Sequence, residues 1–151
     1  LLSISTDKID EEELKMPKHW NFVFIGKFCG LFGIVSSIFD FTTMGLLLWL
    51  GVNVPLFRTG WFLESVLSEI LITFSIRTRK SFHKSKPGEI LLLTSIIFGL
   101  LTLVVIYSPV GEFFEFVQLN LYFLLLIVLI LVTYFGMVEF MKHIIYKRFL
   151  S

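Results

Sequence analysis

The chain has 151 residues, of which 56% are apolar and 17% are charged, with 18 phenylalanines and a mean hydropathy of +0.85. Soluble domains average about 45–50% apolar and about 25% charged residues, so this composition excludes an ordinary soluble domain. The 13 basic and 12 acidic residues nearly cancel, and no basic stripe interleaved with aromatic residues indicates nucleic-acid binding.

Residues 1–21 form a polar leading segment, which we expect to be a cytoplasmic loop that contains a short helix. Its acidic run at 10–13 is typical of a helix start, and Pro17 ends the helix because a proline disfavours the α conformation of the preceding residue. Trp20 then marks the entry into the membrane at headgroup depth. Because the chain begins with Leu1 rather than Met, we expect it to be a C-terminal piece of a longer protein.

Four long apolar runs follow within residues 22–151. The first is long enough for the roughly 30 Å hydrocarbon core of a bilayer, and the second is near the lower limit of roughly 17 residues for a spanning helix. They predict an all-α fold, a polytopic membrane bundle of four transmembrane helices. The predicted spans are about 28–50, 60–76, 90–107 and 121–141, with a turn over 52–59 between the first two.

Basic residues predict the orientation of these spans. Every Lys and Arg except Arg58 falls within residues 8–27, in the 77–89 loop or at the carboxyl terminus. Because basic residues favour the cytoplasmic side, both termini are predicted to be cytoplasmic, in an integral protein of the plasma membrane. The central loop determines this topology and has a secondary potential to bind anionic lipid, through Arg77, Arg79, Lys80, Lys84 and Lys86.

Small residues recur along one face of the first span. Gly26, Gly30, Gly33 and Ser37 follow one another at spacings of four, three and four, so they share a helix face. Small residues on a stripe let another helix approach closely in a membrane, so we expect this face to pack against protein. Asp40 continues the stripe and is therefore predicted to point into protein rather than lipid.

Three carboxylates lie inside or at the edge of the first two spans, where an ionised group is costly: Asp40, Glu64 and Glu69. No Lys or Arg lies within the predicted spans to neutralise them, which favours a cation or protonation. Hard cations prefer oxygen ligands, so these are candidate ion-path residues, ranked Glu69, Asp40, Glu64. Glu64 comes last because Arg58 near the interface could pair with it. A structural role, as neutral carboxyls or interhelical hydrogen bonds, stays open for all three.

The sequence contains no glycine-rich phosphate loop, no Cys/His zinc spacing and no nucleophile–base pair. It therefore predicts no catalytic residue, no cofactor-binding residue and no firm metal ligand within the chain itself.

Several segments resemble P-type cation ATPases, and the resemblance covers essentially the whole chain. Residues 2–10 and 17–21 resemble the cytoplasmic loop after the sixth transmembrane helix of these pumps. Residues 32–40 and 56–64 are similar to the seventh helix and the start of the eighth in the magnesium-transporting branch. The Phe-Arg-Thr-Gly-Trp-Phe block at 57–62 is the most specific part, and residues 76–80 and 141–149 are also similar to the family.

The resemblance implies a parent transporter that couples ATP hydrolysis, through an aspartyl-phosphate, to cation movement. Magnesium and ATP are then implied for the parent, and the chain itself, which lacks the phosphorylation and nucleotide-binding domains, would not be catalytic alone. Its implied partners are the lipid bilayer, the remaining transmembrane helices and cytoplasmic domains of the parent, and the transported cation. Its role would be to support the ion-transport helices. The alternative is a free-standing four-span membrane protein that acts as an assembly partner or a small channel.

Overall fold

The computed structural model describes residues 22–78, 82 and 85–149. Among these, side chains are described for the residues numbered 26 to 146. These residues form five helices and, within the described ranges, no strand, which confirms the predicted all-α fold. The helices are α1 (Phe22–Trp49), α2 (Val54–Ile76), α3 (Glu89–Tyr107), the short α4 (Pro109–Phe113) and α5 (Leu121–Phe149). Four of them, α1, α2, α3 and α5, are long and apolar enough to cross a bilayer. The helix expected within 1–21 lies outside the described residues.

Helix α2 begins earlier than the sequence predicted. The expected turn over 52–59 is wrong, because the helix already begins at Val54. The Asn53 side chain accepts a hydrogen bond of 3.0 Å from the backbone N–H of Leu56 and so caps the helix. Pro55 sits in the first turn, where its missing N–H removes no helical hydrogen bond. The turn between α1 and α2 is therefore short, and Gly51 adopts a positive φ of 64° within it.

Helix α2 packs against α1, α3 and α5, and α5 also packs against α1. One core cluster joins Phe32 and Val35 of α1 to Tyr134, Val138 and Ile145 of α5. A second cluster joins α2, α3 and α5 with the connection before α5, through Leu63, Ile106, Leu119, Ile127 and Leu131. Helix α3 leaves most of its apolar side chains exposed, which is expected of a helix that faces lipid.

Hydrogen bonds join the elements at the two ends of the bundle. The buried Thr59 hydroxyl donates to the Pro55 carbonyl (2.8 Å) and accepts from the Val117 N–H (2.9 Å). This ties the start of α2 to the α4–α5 connection. We call this the turn end, formed by residues 50–53 and 108–120. The other end, formed by residues 77, 78, 82 and 85–88 and by the last turns of α5, is called the basic end.

Gly111 is the most tightly packed glycine at the turn end. Its replacement by alanine gives a testable prediction. A Cβ at this position would lie 2.5 Å from the Val105 carbonyl oxygen and 2.7 Å from that of Ile106. Both are backbone atoms, which cannot rotate away. We expect Gly111→Ala to lower the free energy of unfolding by about 1–3 kcal/mol, measured as a lower Tm of the full-length protein in detergent. Gly99→Ala is the control, since no atom lies within 4 Å of its added Cβ. Equal Tm values for the two variants would contradict this packing.

Candidate functional site

Glu64 of α2 is the most unusual side chain in the bundle. It is fully buried, with 0% exposure. Neither of its carboxyl oxygens has a hydrogen-bond partner among the described residues, and the buried hydroxyl of Thr43 on α1 is in the same state. Buried polar groups in native proteins are nearly always hydrogen-bonded, so two such groups side by side require an explanation.

Asp40 and Thr43 of α1 are the polar neighbours of Glu64. The Asp40 carboxyl lies within electrostatic range of Glu64, and the Thr43 hydroxyl lies beside it. These contacts do not have hydrogen-bond geometry, since both Glu64 oxygens and the Thr43 hydroxyl stay unpartnered among the described residues. Asp40 is half-buried at the edge of the α1–α2 contact. The structure therefore brings two of the three predicted carboxylates together.

Tyr134 adds a polar side chain from a third helix, α5, to this region. It is buried in α5, and its hydroxyl forms a hydrogen bond of 2.8 Å with the Ser36 hydroxyl of α1. Asp40, Glu64 and Glu69 all lie within electrostatic range of this hydroxyl. Sequence reasoning missed Tyr134, although it is the one phenol in the middle of an otherwise apolar span.

Glu69 does not share the environment of Glu64. It is exposed on α2, because five residues along a helix place it about 140° around the axis from Glu64. The buried side chains on α2 include Glu64, Ser68 and Ser75 together with the apolar Leu63.

Arg58 pairs with a different acid from the one expected. Its guanidinium forms an ion pair with Glu115 in the α4–α5 connection. The suggested pairing with Glu64 is wrong for a geometric reason. Six residues along α2 turn Glu64 about 240° away from Arg58, into the core. Glu64 therefore has no neutralising partner at the turn end, and its place at the bottom of the ranking loses its basis.

The small-residue stripe of α1 is open toward the described part of the chain. Gly26, Gly30, Gly33 and Ser37 are all exposed, and a Cβ added to any of the three glycines would meet no atom of a described residue within 4 Å. Helix α1 instead uses the neighbouring face, with Phe32, Val35, Thr43 and Leu47, to pack within the bundle.

The basic end contains a buried ionic network that the sequence did not predict. The fully buried Lys142 ammonium donates to Glu139 Oε1 (2.6 Å) and to the Ser75 carbonyl (3.0 Å). The Ser75 hydroxyl donates to the same Glu139 oxygen at 2.6 Å, and the Phe82 N–H donates to Oε2 at 3.3 Å. Glu139 was overlooked within the last span, although an acid three residues before a lysine is a recognisable helical pair.

The topology residues of the central loop are described only in part. The Arg77 guanidinium donates to the carbonyls of Ser85 and Lys86, so it holds the start of this loop against its end. Lys86 itself is exposed. Arg79, Lys80 and Lys84 lie outside the described residues.

The described residues contain no cluster of three or more His, Cys, Asp or Glu side chains that could hold a metal ion. The Asp40–Glu64 pair could supply one or two ligands to a hydrated Mg²⁺ ion, which commonly retains several waters. It could not enclose a dehydrated ion by itself.

Comparison with known proteins agrees with this architecture. The family model for the C-terminus of cation-transporting ATPases matches residues 2–144. The chain belongs to this family. It is 31% identical, over 98% of its length, to the magnesium-transporting ATPases, P-type 1, of Salmonella typhimurium LT2 and Escherichia coli K12. A further magnesium-transporting ATPase, P-type 1, of the same Salmonella strain is 34% identical over the same share. The chain spans 17% of the length of each of these relatives.

As a C-terminal membrane domain of the cation-transporting ATPase family, the chain has four apolar helices in the region that the family model covers. The resemblance inferred from residues 32–40 and 56–64 is thereby confirmed.

Proposed function

We propose that this domain forms the C-terminal part of the membrane region of an ATP-driven magnesium transporter and supports its ion-transport helices. The observation that carries the proposal is the buried Glu64 carboxyl beside Asp40, at the contact between α1 and α2. Magnesium as the cargo is proposed from the relatives, each of which is a magnesium-transporting ATPase. The phosphorylation and ATP-binding steps would belong to other domains of the parent.

The open small-residue face of α1 is the proposed docking surface for the remaining transmembrane helices of the parent. The chain covers only 17% of its relatives' length, so most of such a protein lies outside it. Exposed glycines in a membrane helix favour close contact with another helix rather than with lipid. The exposed Glu69 supports the same occupant, because a carboxylate at mid-span is costly against hydrocarbon and would be covered by protein or by a hydrated path.

The Asp40–Glu64 pair is proposed to act on the electrostatics of the ion path. A fully buried carboxylate without a partner is destabilised by several kcal/mol, so Glu64 requires either a proton or a nearby cation. A second carboxyl within electrostatic range strengthens that requirement. Such a pair draws a divalent cation toward the α1–α2 contact while ligands from the parent's other helices complete its coordination.

We place the protein in the plasma membrane with both termini in the cytoplasm. The distribution of basic residues along the sequence supports this orientation, because Arg58 is the one Lys or Arg of 13 outside residues 8–27, the 77–89 loop and the carboxyl terminus. The partners would then be the bilayer, the other helices and cytoplasmic domains of the parent ATPase, and the transported cation. The free-standing four-span alternative is not favoured, since the family match covers nearly the whole chain.

Gly33→Leu tests the docking face. We expect this substitution in the full-length transporter to reduce the yield of folded protein in detergent several-fold, because a leucine on the stripe would hold the partner helix away. Gly45→Leu is the matched control, as Gly45 lies on the same helix, away from the stripe, and is equally open. Val128→Leu on the exposed side of α5 is a second control. Equal yields for Gly33→Leu and Gly45→Leu would exclude the stripe as a docking surface.

The transport proposal is tested by growth rescue. The full-length gene that encodes this chain should restore growth at limiting magnesium to a bacterial strain that lacks its own magnesium transporters. A variant with its phosphorylated aspartate replaced by asparagine should not. Expression of folded protein without rescue would contradict magnesium as the cargo.

A further inference from the structure

An aromatic pocket opens at the turn end of the bundle, away from the carboxylates of the proposed ion path. Its volume is about 410 Å³. The walls come from the first turns of α2 and from the α4–α5 connection, and they are formed chiefly by Arg58, Trp61, Phe62, Phe114, Glu115 and Phe116. The pocket therefore combines aromatic surface with one positive and one negative side chain.

The walls are ordered by contacts between these side chains. The rings of Phe62 and Phe116 stack with centroids 4.9 Å apart, and those of Phe114 and Phe116 stack at 5.8 Å. Glu115 has a positive φ of 57°, in the left-handed region that non-glycine residues seldom adopt. Residues held in such conformations cluster at ligand-binding positions, where the surrounding structure compensates for the strain. Here the conformation accompanies the ion pair of Glu115 with Arg58.

The ion pair leaves hydrogen-bonding capacity on both partners. Arg58 uses Nη1 and Glu115 uses Oε2, and neither side chain makes another hydrogen bond to a described residue. The two side chains are 47% and 64% exposed. Exposed pairs of this kind contribute little to stability, so stability alone does not account for this arrangement. The pocket offers unused guanidinium donors beside an unused carboxylate oxygen.

The position of the pocket indicates which layer of the bilayer it faces. It lies at the start of α2, where a bilayer-spanning helix passes from hydrocarbon to headgroups, and Trp61 and Phe113 are exposed there. Aromatic side chains are typical of this depth. A phosphate suits the planar donors of an arginine, and an ammonium suits a carboxylate and the faces of aromatic rings.

We propose that this pocket binds the headgroup of a zwitterionic phospholipid that carries a primary ammonium, as in phosphatidylethanolamine. The phosphate contacts Arg58, the ammonium contacts Glu115, and the rings of Phe62, Phe114 and Phe116 cover the apolar part. A purely anionic headgroup satisfies Arg58 but is repelled by Glu115. The pocket therefore distinguishes headgroups by their paired charges. It does so independently of the transported ion.

The test measures phospholipid retention by the full-length protein, purified in detergent and delipidated. Dioleoyl-phosphatidylethanolamine and dioleoyl-phosphatidylglycerol are added in equal amounts, and bound lipid is counted by native mass spectrometry. We expect wild type to retain at least about five times more of the ethanolamine lipid. Glu115→Gln should abolish this preference while keeping the glycerol lipid, and Arg58→Gln should weaken the binding of both. Glu112→Gln, in the adjacent helix α4 but outside the pocket, should behave as wild type.

Any of four results would overturn the proposal. They are equal retention of the two lipids by wild type, an unchanged preference in Glu115→Gln, and undiminished binding of both lipids by Arg58→Gln. The fourth is displacement of the lipid by an equimolar amount of soluble phosphoethanolamine, which would assign the pocket to a free zwitterion rather than a membrane lipid. If either single variant is unfolded, Arg58→Gln/Glu115→Gln, which keeps a neutral polar pair, replaces it and is expected to show no preference.

Discussion

Lys142→Met is expected to lower the free energy of unfolding by about 3–5 kcal/mol. The ammonium of Lys142 is fully buried and contacts Glu139 and the Ser75 carbonyl. Its removal leaves the Glu139 carboxylate, only 19% exposed, without its cation. The cost arises mainly from that uncompensated charge rather than from the lost contact itself. The expected effect is large because the network joins the end of α2, the central loop and α5.

The measurement is the Tm of the full-length protein in detergent. Lys86→Met is the matched control, since Lys86 is exposed at the same end of the bundle. Glu139→Leu combined with Lys142→Met should recover most of the loss, because replacing both members of a buried pair by apolar residues is often neutral or stabilising. A Lys142→Met protein as stable as Lys86→Met, or a double variant no better than the single one, would contradict this account.

Glu64→Leu is expected to have opposite effects on stability and on transport. It removes a buried carboxyl with no hydrogen-bond partner, so the Tm should stay unchanged or rise. If the carboxyl acts on the ion path, magnesium transport should fall sharply in the same protein. Glu64→Gln keeps the shape without the charge, and we expect about a tenfold higher KM for magnesium, equivalent to about 1.4 kcal/mol.

Glu112→Gln is the control for this pair of experiments, because it removes a carboxylate that is exposed in α4, outside the spanning helices. The sequence alone predicts a larger effect for Glu69→Gln than for Glu64→Gln. The burial of Glu64 beside Asp40 reverses the order we expect. A strong loss of Tm in Glu64→Leu with unchanged transport in Glu64→Gln would show that the residue is structural.

Composition and apolar run length predicted the fold class and the number of spanning helices, because the bilayer leaves few other solutions for such a chain. The same patterns misplaced the start of α2, since Pro55 suits a turn as well as a first helical turn. Periodicity also placed the small residues of α1 on one helix face. It could not show that the stripe would be open in this chain, because a helix period does not specify which neighbour covers a face.

The candidate site was predictable only in its residue types. The cost of a charge in hydrocarbon singled out Asp40, Glu64 and Glu69, but their grouping depends on how α1, α2 and α5 are rotated against one another. Arg58 was wrongly placed near Glu64 for that reason, since its true partner, Glu115, lies in a connection 57 residues further along the chain. Glu139 was missed because a single acid near the end of a long apolar run has little influence on an average over that run.

The central claim is most directly tested by ATP-driven magnesium flux in proteoliposomes that contain the purified full-length protein. We predict that ATP drives Mg²⁺ across the membrane, and that Glu64→Gln raises the magnesium concentration needed for half-maximal flux while Glu112→Gln does not. Flux of another cation in place of magnesium, or an unchanged magnesium dependence in Glu64→Gln, would contradict the role proposed for this domain.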